Sequence, residues 1–140
     1  MAKRVIALLG EPLYNEDAAA AEAITPGHLV TLNGSGLVIK HATAAAACAR
    51  RFALERDEMG KDIDTAYASG DRVKVGSFHQ GQRVNAIIAS GQNIAITGLL
   101  ESAGNGTLRV LAAGVALARA LEAVNNSAGP GDARLRVEII

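Results

Sequence analysis

The chain holds three histidines, His28, His41 and His79, and one cysteine, Cys48. Imidazole and thiolate are common ligands of transition metals. No two of these residues stand three or four apart, so metal-ligand spacing is absent. The histidines are expected on the surface or in turns. No Gly-x-Ser-x-Gly elbow presents a nucleophile. Ser35 lies between Gly34 and Gly36, but behind Asn33 that setting is a hairpin turn. Gly34-Ser35-Gly36, Gly104-Asn105-Gly106 and Gly129-Pro130-Gly131 lack a following Gly-Lys-Ser/Thr and the third glycine of a dinucleotide fingerprint. They read as turns rather than phosphate loops. No catalytic residue, metal or cofactor is expected.

Charge offers a different chemistry. Arg50-Arg51 precedes the mixed run Glu55-Arg56-Asp57-Glu58. Such a run is a solvated face, or an electrostatic contact whose complementary charges set register with a partner protein. Arg134 and Arg136 lie on the outward face of the last alternating run, and Ile140 shares that face. An apolar residue so placed marks an interface candidate. Lys3, Arg4, Arg50, Arg51, Arg134, Arg136 and Ile140 are therefore the candidate protein-interface residues. Lys plus Arg and Asp plus Glu number 14 each, for a formal net charge of zero. That balance argues against free nucleic acid as a partner. It favours self-association over long-range repulsion.

Size and composition limit what can position these residues. A chain of 140 residues is one domain, and it buries roughly 68–70% of its unfolded surface. It is 49% hydrophobic but only 3% aromatic, with no Trp. A core of Ala, Val, Leu and Ile gains less per side chain than one with aromatics. Oligomerisation or docking is expected to add stability. The single cysteine excludes an internal disulfide. The apolar run over residues 5–9 is too short for a signal-peptide h-region. No run approaches the roughly 20 residues of a membrane-spanning helix, so the chain reads as cytosolic, with no membrane partner. Two sequons, at Asn105 and Asn125, read as turn chemistry.

The elements read as strands. Residues 67–100 alternate apolar with polar at Val73/Val75, at Val84/Ala86/Ile88 and at Ile94/Ile96. Period two with Gly and Gln breaks predicts three consecutive antiparallel strands in a meander. Residues 29–32 and 37–41 flank Asn33-Gly34-Ser35-Gly36, a strong hairpin signal. Residues 1–9 form a short strand with Val5, Ala7 and Leu9 on one face. Residues 11–23 read as a loose arm or short helix, and Thr25-Pro26-Gly27 as a turn. Residues 101–106 read as a turn, 107–111 as a strand and 125–132 as a loop. Residues 133–140 alternate cleanly and form the closing strand. Residues 42–59 and 115–124 fit helix and strand alike. The result is a mainly β, antiparallel sandwich or barrel over residues 24–140. A less ordered N-terminal arm covers 1–23.

The run Glu58-Met-Gly-Lys-Asp-Ile-Asp-Thr-Ala-Tyr-Ala-Ser-Gly-Asp-Arg-Val73 resembles a phrase of tailed-bacteriophage capsid cement (head decoration) proteins. Ile24-Thr-Pro-Gly-His-Leu-Val30 is similar to their entry into the first core strand. Ala118–Val124 with Arg134-Leu-Arg-Val-Glu-Ile-Ile140 resembles their closing strands. The resemblance implies a jelly-roll or β-tulip fold and no enzyme activity. It implies residence on the outer capsid surface of a virion, after synthesis in the bacterial cytoplasm. The implied partners are the major capsid protein and a second copy of the chain, as a homodimer in preference to a homotrimer. It also implies strand over 50–56 and 115–122. A β-sandwich module binding carbohydrate or an adhesion ligand is the alternative, though few aromatics are available for a sugar platform.

Overall fold

The computed structural model of the chain describes residues 5–129 and 131–140. Its strands are β1 (Ala7–Leu9), β2 (Leu13–Asn15), β3 (Val30–Leu32), β4 (Val38–Lys40), β5 (Arg51–Ala53), β6 (Val75–Ser77) and β7 (Arg83–Ile88). They continue as β8 (Asn93–Ile94), β9 (Leu99–Ser102), β10 (Leu108–Val110), β11 (Ala118–Ala120), β12 (Val124–Asn125) and β13 (Ala133–Ile139). Among the described residues the one helical element is a 3-10 turn, Asp57–Met59. The mainly β class expected from the sequence is the class observed.

Five strands close a small barrel in the order β7-β10-β9-β11-β13, with β13 returning to β7. The longest ladder is β7 with β13, from Ala133 opposite Ile88 to Glu138 opposite Arg83. One contact is parallel, Leu108 beside Ile88. On β13 the predicted alternation holds, and Leu135, Val137 and Ile139 are buried. They meet Val84, Ala86 and Ile88 of β7, Leu100 of β9 and Ala118 and Ala120 of β11. A five-stranded barrel has a narrow interior, and the alanines let the strands approach. That is a physical reason for an aromatic-poor core. Phe52 and Phe78, edge to face at 5.8 Å between ring centroids, sit in this same core.

A second, smaller core lies between the β3–β4 hairpin and the sheet β2-β6-β5. It holds Ile24, Val30, Val38, Ala53, Val73 and Val75. The hairpin forms as its Asn-Gly turn predicts: Asn33 Oδ1 accepts the N–H groups of Ser35 and Leu37. Gly27 ends the Thr25-Pro26-Gly27 turn at φ +98°, and a Cβ there would press on Arg134 and the Asn85 carbonyl.

Several expectations are corrected. Residues 67–100 do not form a meander. β6 pairs with β2 and β5, β7 lies in the barrel, and β8 pairs with β12. Alternation specifies a strand and a buried face, but not the neighbour. Ile96 is exposed, in the turn after β8. The short strand read over residues 1–9 is β1, but residues 11–23 are neither a loose arm nor a short helix, and the described part of 1–23 is packed. Ile6 is fully buried, β1 pairs with β7, β2 pairs with β6, and Ala20 is in the second core. Residues 101–102, read as a turn, belong to β9. Asn125, read as loop, pairs with Asn93. Strand within 50–56 is confined to β5, and within 115–122 to β11.

Candidate functional site

The sheet β2-β6-β5 has one face turned towards the hairpin. Arg51, Ser77 and Leu13 are register partners across it, and Ala53, Val75 and Asn15 form the next row. Period two therefore sets Arg51, Ser77, Val75 and Asn15 on one face. Beyond them a cleft of about 350 Å³ opens from the second core. Val30, Val38, Val73 and Val75 line it as an apolar floor. Arg51, Ser77, Thr31, Asn15 and Asp17 supply its polar groups. Leu32, 49% exposed, also lines it, and Leu37 at the hairpin turn is exposed nearby. On β2, Leu13 and Tyr14 are 64% and 56% exposed. Among the described residues β2 has a strand neighbour on one side, β6, and is an edge of its sheet.

Arg51 is the sequence-predicted interface residue that this cleft takes up. Among the described residues its guanidinium has no hydrogen-bond or ion-pair partner. The other candidates lie elsewhere and are engaged. Arg50 donates to the Cys48 and Ala116 carbonyls. Arg134 donates to the Ile63 carbonyl at 2.6 Å and lies 3.7 Å from Asp64. Arg136 pairs with Glu122 at 3.1 Å. The Ile140 side chain is half-buried at the end of β13, and its N–H donates to the Leu117 carbonyl. Lys3 and Arg4 lie outside the described residues. The structure does not gather these residues into one patch.

Of the histidines expected on the surface or in turns, His79 is exposed and His28 closes the Thr25-Pro26-Gly27 turn, though its side chain is buried, whereas the buried His41 departs from the expectation. His28 Nδ1 accepts the Thr25 N–H at 3.0 Å. Burial, with Lys40 and Arg134 nearby, lowers its pKa to about 4 against the opposing pull of Asp132 and Glu22. His41 Nδ1 lies 2.7 Å from Ser102 Oγ, a pairing 61 residues apart that no local signal announces. A nucleophile and base meet at such a distance. Ser102, however, is fully covered, and its Oγ also accepts the Gly104 N–H. The pair fastens β9 to the chain leaving β4. Burial also lowers the His41 pKa.

Sequence reasoning also missed Glu101. Its side chain is fully covered, 3.0 Å from Arg109 Nε, and it accepts the Gly114 N–H at 2.8 Å. Burial pushes this carboxyl up. The hydrogen bonds from Arg109, Gly114 and Ala112 outweigh it and hold the pKa below its ordinary value. Among the described residues no group of three or more His, Cys, Asp or Glu is placed to hold a metal. Nor is any helix long and apolar enough to cross a membrane.

A smaller cleft of about 130 Å³ lies between Arg56, Lys61, Tyr67 and Arg72. Its guanidiniums are engaged. Arg56 donates to the Arg72 carbonyl, and Arg72 to the Asp17 carbonyl. No protein-family model matches the chain, and no curated protein is significantly similar to it.

Proposed function

We propose that this chain is a non-enzymatic structural protein that binds the outside of an assembled phage capsid. It bridges neighbouring major capsid proteins and stabilises the head, as a homodimer in preference to a homotrimer. The observation that supports a docking role is the exposed rim of the second core. Leu32 lines an open cleft that carries Arg51, whose guanidinium has no partner among the described residues, and Leu13 and Leu37 are exposed on the elements that flank it. An exposed apolar patch with a polar rim is what a protein interface offers. The capsid as partner rests on the resemblance over residues 24–140.

The residues carrying that resemblance do structural work. Asp62 Oδ1 accepts from Asp64 N–H and the Thr65 hydroxyl. The buried Tyr67 hydroxyl donates to the Leu54 carbonyl at 2.7 Å. Asp71 Oδ2 accepts the Ala68 N–H. They hold a connector in place and present no reactive group. A carbohydrate module is less well supported, because Phe52, Tyr67 and Phe78 are buried. The face of exposed Tyr14 is already covered by Lys74, 5.3 Å from the ring centroid.

The test is sedimentation with expanded heads that lack the protein, from the phage encoding it. Saturable co-pelleting and a raised head-disruption temperature are expected, with stoichiometry reporting the symmetry site. Failure to bind intact expanded heads rejects the capsid reading.

A further inference from the structure

We propose that the cleft between the β3–β4 hairpin and the β2-β6-β5 sheet binds an extended peptide segment of a partner protein, in which an aliphatic side chain neighbours a carboxylate. This rests on the reading of the chain as a protein-docking module, and it names the chemistry which that site accepts.

Three features select that occupant. The first is the floor. Val30, Val38, Val73 and Val75 form an apolar surface continuous with a packed core, which rewards an aliphatic side chain with the burial it loses in water. The second is size. About 350 Å³ is near the lower end of ligand pockets, which run from about 300 to 1,000 Å³. An α-helix about 10 Å across is too thick for it, whereas an extended segment enters one or two side chains at a time.

The third feature is the placement of charge. Arg51 and Ser77 are register partners and stand together at one end of the sheet face. Val75 follows, and Asp17 lies two residues past the end of β2, beyond Asn15. The cleft thus runs from a cation, across valine, to a carboxylate. A guanidinium without a partner is a fork ready for a carboxylate, which it receives through two parallel hydrogen bonds. Asn15 Oδ1 already accepts the Asp17 N–H, which leaves its Nδ2, with the Thr31 and Ser77 hydroxyls, for the segment's backbone. Asp17, whose backbone carbonyl already takes Arg72, keeps its carboxylate for a backbone N–H. This polarity orients the segment, with its acid at the Arg51 end. The binding mode is that of an extended peptide whose alternate side chains enter a pocket.

The experiment is an amide-resolved NMR titration of the full chain with two probes, acetyl-Ser-Val-Glu-Leu-Ser-amide and the same peptide with Lys in place of Glu. The acidic peptide is expected to shift amides within residues 30–38, 51–53 and 73–77, with at least fivefold weaker binding by the Lys peptide. Arg51→Gln is expected to remove that preference while leaving the spectrum folded, because Arg51 is exposed and unpartnered. Leu32→Ser at the lip is expected to weaken both peptides. Equal binding of the two peptides, shifts confined to other residues, or no shifts at millimolar peptide would each overturn the proposal. So would concentration-dependent shifts at these amides without peptide, which would assign the cleft to a second copy. The two readings separate cleanly. Peptide selectivity without head binding keeps the cleft and removes the capsid. Undiminished head binding by Arg51→Gln keeps the capsid and removes the cleft.

Discussion

His28 makes this protein lose stability in mild acid. Its backbone lies in the Thr25-Pro26-Gly27 turn, where its N–H donates to the Thr25 carbonyl and its own carbonyl accepts the Ala53 N–H. Its Nδ1 is spent on the Thr25 N–H, so protonation breaks a hydrogen bond as well as charging a residue that is only 9% exposed. The folded pKa of about 4 lies below the ordinary 6.5. Between those values the unfolded chain holds a proton that the folded chain refuses. Stability therefore falls as pH drops through 6.5 and levels off below about 4. The full gap is worth about 3 kcal/mol at roughly 1.4 kcal/mol per pH unit. Some solvent screening remains on the side of Asp132 and Glu22, so a loss of up to about 2 kcal/mol is expected between pH 7.5 and pH 5. Urea unfolding at pH 7.5, 6.5, 5.5 and 5.0 measures it. His28→Asn keeps an acceptor for the Thr25 N–H but does not titrate, so the variant should lose less of its stability over this range. His41, whose lowered pKa has the same sign, contributes to the residual slope, whereas the lowered pKa of Glu101 acts at more acid pH. Parallel decline of the two proteins, or an imidazole of His28 titrating near 6.5 by NMR, would refute the reasoning.

Further expectations concern packing. Gly114→Ala sets a Cβ against the Glu101 carboxylate and the Ala45 carbonyl, which lie within closer reach than any Cβ accepts. It should cost about 1–3 kcal/mol in chemical denaturation, and unchanged stability would show that this segment stands further from β9. Ile6→Ala should cost about 2–5 kcal/mol, because Ile6 is fully buried in the main core. A loss under 0.5 kcal/mol would return residues 5–9 to the status of an arm. Burial raises the pKa of the Cys48 thiol, against the pull of Arg50. A maleimide at pH 7 should therefore modify folded protein more slowly than urea-unfolded protein, and equal rates would count against this.

Local chemistry carried much of the fold. Asn33-Gly34-Ser35-Gly36 between two apolar runs specifies the β3–β4 hairpin, because Asn33 Oδ1 caps the turn's N–H groups and Gly36 takes its positive φ. The closing strand was legible from period two alone, with Leu135, Val137 and Ile139 inside as read. Gly-centred turns at regular spacing between alternating runs made the β class legible too, although residues 42–59 and 115–124 fitted helix and strand alike. Which strands meet was decided only in three dimensions. β6, β7 and β8 follow one another in sequence yet lie in three different sheets, since burying two cores outweighs pairing with the next strand along. The same holds for polar groups. Glu101, Ser102 and His41 carry no local mark of burial: His41 and Ser102 satisfy each other across 61 residues, and Glu101 is met by Arg109 opposite it on β10 and by the Gly114 N–H. Arg50 and Arg51 look alike in sequence. Alternation turns one to backbone carbonyls and the other, unpartnered, to the cleft. The cleft itself exists only where residues 15–17, 30–38, 51 and 73–77 converge, a meeting set by long-range packing rather than by any stretch of the chain.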